Sequence, residues 1–148
     1  MGSYWRTVEP FWAAINISES PEIFRETFDS VPRSAGLLFA AHFCRSEICN
    51  GGFHQFFWNS TGILAPEAIE GFREIEQSQI ASLIESALAL FGSPYPRDRE
   101  GRQRRLSQVA QGSLDALDEI FFALVDSEAG GFENAADRYA EGINQCNR

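Results

Sequence analysis

The chain has 148 residues, of which 44% are hydrophobic and 13% aromatic, so it is expected to form one folded domain over 1–148 and not a disordered tail. Its 21 acidic residues against 12 basic ones give a net charge of −9, and all of the basic residues are Arg. Without Lys there is no Schiff-base or phosphate-loop lysine, and the acidity excludes direct binding of nucleic acid and favours cationic partners.

In chain order, Met1-Gly2-Ser3-Tyr4-Trp5-Arg6 lacks a secretory pattern. The first clear helix start is Ser20-Pro21-Glu22, a capping side chain followed by a proline at the first helical position. From Leu37 to Ile48 the apolar residues Leu37, Leu38, Phe39, Ala40, Ala41, Phe43, Cys44 and Ile48 surround the helix instead of forming one stripe, which places a central helix over about 35–50. It stops at Asn50-Gly51-Gly52, and a short aromatic helix restarts at Phe53. Further starts follow at Ala65-Pro66-Glu67, Ser78-Gln79 and Ser113-Leu114-Asp115, with stops at Gly92-Ser93-Pro94 and Gly130-Gly131. Strand alternation and internal repeats are absent, so the fold class is all-α: a single-domain bundle of about seven to eight helices around the central one. No apolar run approaches the roughly 18 to 20 residues that span a bilayer. Three cysteines, an odd number, point to a reducing cytoplasm and not to a disulfide framework.

Charge is unevenly placed. Residues 97–105 carry five Arg and two acids, a net of +3, so the rest of the chain carries −12. This arginine knot is expected to be a solvated connection that pairs with the acidic C-terminal third. On the helix from Pro66, Glu67, Glu70 and Glu74 fall within about 60° of one another, opposite Ile69, Phe72 and Ile75. On the helix after Ser113, Asp115, Glu119 and Asp126 fall within about 40°, opposite Leu117, Ile120 and Leu124. Carboxylates three or four residues apart rise about 4.5 to 6 Å along the axis, comparable with phosphates along one strand of duplex DNA. These six acids are the candidate partner-binding residues. Ser82, Ser86 and Ala89 form a small-residue face suited to close contact between subunits.

The most distinctive stretch runs from Glu47 to Gly62. Phe53, Phe56 and Phe57 fall at three and four spacing and are expected in the core, leaving His54, Gln55 and Asn59 as polar members that need partners. His42, Cys44, Cys49 and His54 resemble a metal-ligand set along the chain. On a helix, however, Cys44 points about 140° away from Cys49, so no metal site is assigned. Cys49, His54 and Asn59 are the residue types of a nucleophile site, but a thiol at a helix C-terminus meets the negative end of the dipole, which opposes a thiolate. No catalytic residue and no cofactor is assigned. The competing reading is a small-ligand or weakly catalytic pocket on Cys49, His54, Gln55 and Asn59, and a plainer one is an interaction module of unknown partner.

Asn50-Gly51-Gly52-Phe53-His54-Gln55-Phe56-Phe57-Trp58-Asn59-Ser60-Thr61-Gly62, followed by Ala65-Pro66-Glu67-Ala68-Ile69 and the helix from Ile80 to Gly92, resembles the DNA-mimic protein family over roughly residues 35–143. The resemblance implies an all-α fold, with Asn50, Gly51, Gly52, Phe53, His54, Gln55, Phe56, Phe57 and Asn59 as a mainly structural motif. By analogy with the founding member, it also implies a non-enzymatic, dimeric, acidic protein. There, surface carboxylates stand in for duplex phosphates on the DNA-binding face of a transcription factor. For this chain that means a basic nucleic-acid-binding protein as partner and the carboxylates of the 67–76 and 115–126 helices as contacts.

Overall fold

The computed structural model describes residues 2–146, and among them eight α-helices and no strand. They are α1 (Trp5–Val8), α2 (Pro21–Asp29), α3 (Arg33–Trp58), α4 (Ala65–Glu74), α5 (Ser78–Ala89), α6 (Arg99–Leu106), α7 (Gln111–Val125) and α8 (Phe132–Cys146). Among the described residues no helix is long and apolar enough to cross a membrane.

Local chemistry sets the ends. Ser20 Oγ accepts from the Ile23 N–H, and Pro21 opens α2, as the sequence pattern requires. The N-terminus of α5 is capped from elsewhere: the Glu128 carboxylate accepts from the Gln79 and Ile80 N–H groups at 2.7 and 3.1 Å. The buried Gln77 amide donates to the carbonyls of Val125 and Glu128, tying the same corner to the end of α7. α7 begins at Gln111, two residues before the expected Ser113.

α3 is the axis of the bundle. The run Ala35–Ala41 is buried on every side, with α1, α4, α6, α7 and the turn over Ser60–Leu64 packed around the helix. Gly71 lets α4 cross closely, because a Cβ there would stand 2.5 Å from the Leu37 carbonyl oxygen. Phenylalanines from α2, α3, α4, α7 and α8 and from the segment after α5 fill the core: Phe24, Phe53, Phe56, Phe57, Phe72, Phe91, Phe121 and Phe132 are fully buried. Aromatic edges meet faces at Phe53–Phe121 and Phe72–Phe121, with interplanar angles of 82° and 89°.

Two sequence expectations are corrected here. Ile120 does not face the core but is 47% exposed, as is Phe122. The buried stripe of α7 is Leu114, Phe121 and Val125, and the polar Asp118 lies on that side because α3 holds its carboxylate. The arginine knot is likewise not a solvated connection paired with the C-terminal acids. It folds as α6, capped by Asp98 through the Gly101 N–H, with Arg102 fully buried. The Arg102 guanidinium donates to the carbonyls of Phe57, Asn59 and Arg97, each at 2.8 Å. Arg99 donates to the Trp58 carbonyl and Arg105 to that of Phe91. A helix end leaves its last carbonyls without partners, and a guanidinium with five donors is suited to collect them.

Candidate functional site

The distinctive motif is a break in α3. Gly52 has φ 78° and ψ −179°, outside the space open to L side chains, so the helical ladder stops and the Phe53 N–H loses its partner. Asp118 of α7 supplies one: its Oδ1 accepts from that N–H at 2.7 Å. A Cβ on Gly52 would lie 2.5 Å from Asp118 Oδ2, so the site demands glycine for both conformation and space. Burial pushes the Asp118 carboxyl above its usual range, opposed by the Phe53 N–H, raised further by Asp115 and lowered by His54.

A second latch spans the break. Glu47 lies before it and accepts from Gln55 Nε2 at 2.6 Å, from Thr61 Oγ1 at 3.0 Å and from Asn59 Nδ2 at 3.3 Å. Gln55 and Asn59, half-buried, thus find their partner in a residue that the sequence did not single out, while Phe53, Phe56 and Phe57 are fully buried. His54 turns outward and stacks on Trp58, ring centroids 6.0 Å apart and planes 12° from parallel. Asn50 and Gly51 are also exposed. A cleft of about 430 Å3 opens on this side, lined by Gly51, His54, Gln55, Trp58 and Asn59.

Cys49 does not line this cleft. Its thiol is pushed up by burial and by Asp126, with Arg45 acting the other way. His42 lies elsewhere, its Nδ1 2.8 Å from the Tyr4 hydroxyl and its ring against Trp5, and burial lowers its pKa to about 4. Cys44 is sealed in the core. Among the described residues no group of three or more His, Cys, Asp or Glu is placed to hold a metal ion.

The six candidate acids divide sharply. Glu67 is only 8% exposed and is gripped by Arg25 at 2.7 Å and Arg97 at 2.6 Å, so it is not part of an open acidic face. The reason is tertiary: α2 and the segment before α6 bring two arginines onto the first turn of α4. Glu74 pairs with Arg33 at 3.0 Å, leaving Glu70 as the exposed acid of that trio with no ion pair among the described residues. Asp115 and Glu119 on α7 and Asp126 just past its end are all exposed; Asp115 accepts from Gln111 Nε2, and none of the three forms an ion pair among the described residues. Ser82, Ser86 and Ala89 are exposed on α5.

Sequence reasoning missed Asp118, Glu47 and Arg102. Asp118 left a trace, as a carboxylate within the apolar stripe of α7. Glu47 acts across the helix break, and Arg102 on carbonyls more than 40 residues away, and neither left a trace.

A family model described as DMP19-like protein matches residues 29–143, more than half of the chain and all of the helices from α3 to α7. No curated protein and no solved structure matches.

Proposed function

The chain belongs to the DMP19-like protein family, a DNA-mimic-like family, and from that premise we propose that it is a non-enzymatic cytoplasmic protein that covers the basic surface of a nucleic-acid-binding partner. The observation that supports this reading best is the asymmetry of its acids. The carboxylates of α4 are largely met by arginines from within the chain, whereas Asp115, Glu119 and Asp126 face solvent unpaired along one side of α7. Asp115 and Glu119, four residues apart, repel by about 0.2 to 0.5 kcal/mol, and a cationic partner relieves that repulsion. Glu70 is a further exposed carboxylate, on α4 near Arg33, while Glu67 serves the fold. A homodimer, if joined through α5, uses Ser82, Ser86 and Ala89.

Binding of this kind is steeply salt-dependent and competitive with duplex DNA. The test uses the immobilised chain to capture DNA-binding proteins. Captured protein should be released by added duplex DNA and by salt, and should be lost when Asp115→Asn, Glu119→Gln and Asp126→Asn are combined. Capture that survives all three treatments would rule the reading out.

A further inference from the structure

The cleft at the helix break has a chemical bias that net charge does not convey. A carboxylate such as that of Glu47 only accepts hydrogen bonds, so Gln55 and Asn59 must turn their NH2 groups toward it, at 2.6 and 3.3 Å. Their oxygens, Gln55 Oε1 and Asn59 Oδ1, are left over. No hydrogen bond among the described residues engages them, and neither is a buried atom without a partner, so both remain open as acceptors. Gly51 makes room for the first, since a Cβ there would fall 1.9 Å from Gln55 Oε1.

Beside these acceptors stands the Trp58 indole, 45% exposed and braced by the stacked His54. No arginine lines the cleft. α7 runs antiparallel alongside: Asp118 binds the Phe53 N–H, and the charge of Asp126 reaches Cys49. Asp115, one turn from Asp118 on the side away from Asp126, therefore lies toward the Trp58 end. An exposed aromatic wall, two oriented amide oxygens and flanking carboxylates together select a flat cation with several N–H donors. A guanidinium meets every term. It stacks on an indole, presents a fork of donors and is weakly hydrated, whereas an ammonium is a compact, strongly hydrated point charge.

We propose that this cleft receives the guanidinium of an arginine from the basic partner, stacked on Trp58 and donating to Gln55 Oε1 and Asn59 Oδ1. The assignment rests on the function proposed above and adds a point of selectivity to its electrostatics.

The test titrates the full chain with nona-arginine and nona-lysine peptides at low salt, by calorimetry and by following the indole N–H resonances of Trp5, Trp12 and Trp58. Nona-arginine should bind more tightly by on the order of tenfold. The Trp58 resonance should move while those of Trp5 and Trp12 stay. Trp58→Ala should abolish the preference and leave nona-lysine affinity within about twofold. His54→Ala, which removes only the brace, should reduce the preference in part. Equal affinities in the wild type, or an arginine preference that survives Trp58→Ala, overturn the cleft assignment. If in that case the triple α7 variant weakens both peptides, the acidic-surface reading stands without the cleft. If neither peptide binds, both fall.

Discussion

Gly52→Ala isolates the helix break. The substitution places a Cβ 2.5 Å from Asp118 Oδ2 and asks alanine to hold φ 78° with ψ −179°, a conformation used essentially by glycine alone. Backbone strain of this kind costs about 1 to 3 kcal/mol. Pushing Asp118 away also removes a hydrogen bond from the Phe53 N–H to a charged acceptor, a contact of about 1.5 to 3 kcal/mol. The sum, about 2.5 to 6 kcal/mol, is a large share of the 5 to 15 kcal/mol that holds a domain together. Urea unfolding of the wild type, Gly52→Ala, Asp118→Ala and the double variant separates the two contributions. With Asp118 already removed, Gly52→Ala should cost only the strain, and the coupling between the sites should equal the lost hydrogen bond. A loss below about 1 kcal/mol for Gly52→Ala, or a cycle without coupling, would refute the account of the break.

Three further outcomes follow from the same contacts. His42 has its pKa lowered from 6.5 to about 4, so between these values the unfolded chain binds the proton and the folded one does not. Stability from this group is therefore present above pH 6.5 and is lost as pH falls toward 4. The step corresponds to about 3 kcal/mol at full burial, and roughly half that for a ring still in contact with water. Urea melts at pH 7 and 4.5 should show His42→Phe losing less stability on acidification than the wild type, and an equal loss would exclude His42 as a source. Arg102→Met strands the carbonyls of Phe57, Asn59 and Arg97, and thermal unfolding should report a loss of about 3 kcal/mol or more; Arg102→Lys should not restore it, since one ammonium cannot reach three diverging acceptors. Glu67→Gln should lower the melting temperature by several degrees while leaving capture of basic partners unchanged, whereas Glu119→Gln should do the reverse; a Glu67 effect on binding alone would return that residue to the surface.

What was legible in the sequence was whatever a single helix decides for itself. The all-round apolarity of 35–50 marks the central helix, Ser20-Pro21 marks a start, and the glycine pair marks the break, because each depends on local sterics or on the spacing along one segment. The errors came where a second segment decides. A helical wheel shows that Glu67 is opposite Phe72, but not that Arg25 and Arg97 converge on it from 42 and 30 residues away. The wheel of α7 assigned Ile120 to the core because it counts apolar residues. The true inward face is set by Asp118, whose carboxylate is needed by the backbone of α3. The spacing of the motif shows that its polar members need partners, yet not that Glu47, at the head of the same stretch, is that partner, because the break folds the chain back onto it.

The same interplay explains why the arginines of this chain do not offset the exposed acids of α7. Arg97, Arg99, Arg102, Arg105 and Arg138 all donate to backbone carbonyls, and four of the five come from the segment that looked like an exposed basic patch. Arg25, Arg33 and Arg73 are engaged with acids of α2, α4 and α5. Positive charge is thus directed at helix ends and at α4, while α7 has no arginine of its own and no ion pair on its exposed acids among the described residues. A net charge of −9 distributed in this way leaves a more one-sided acidic surface than the total implies. It also gives a physical reason for arginine over lysine at several of these positions. Arg102 serves three carbonyls at once, and Arg97 serves the Ile63 carbonyl and both oxygens of Glu67, which takes a planar fork of donors that an ammonium lacks.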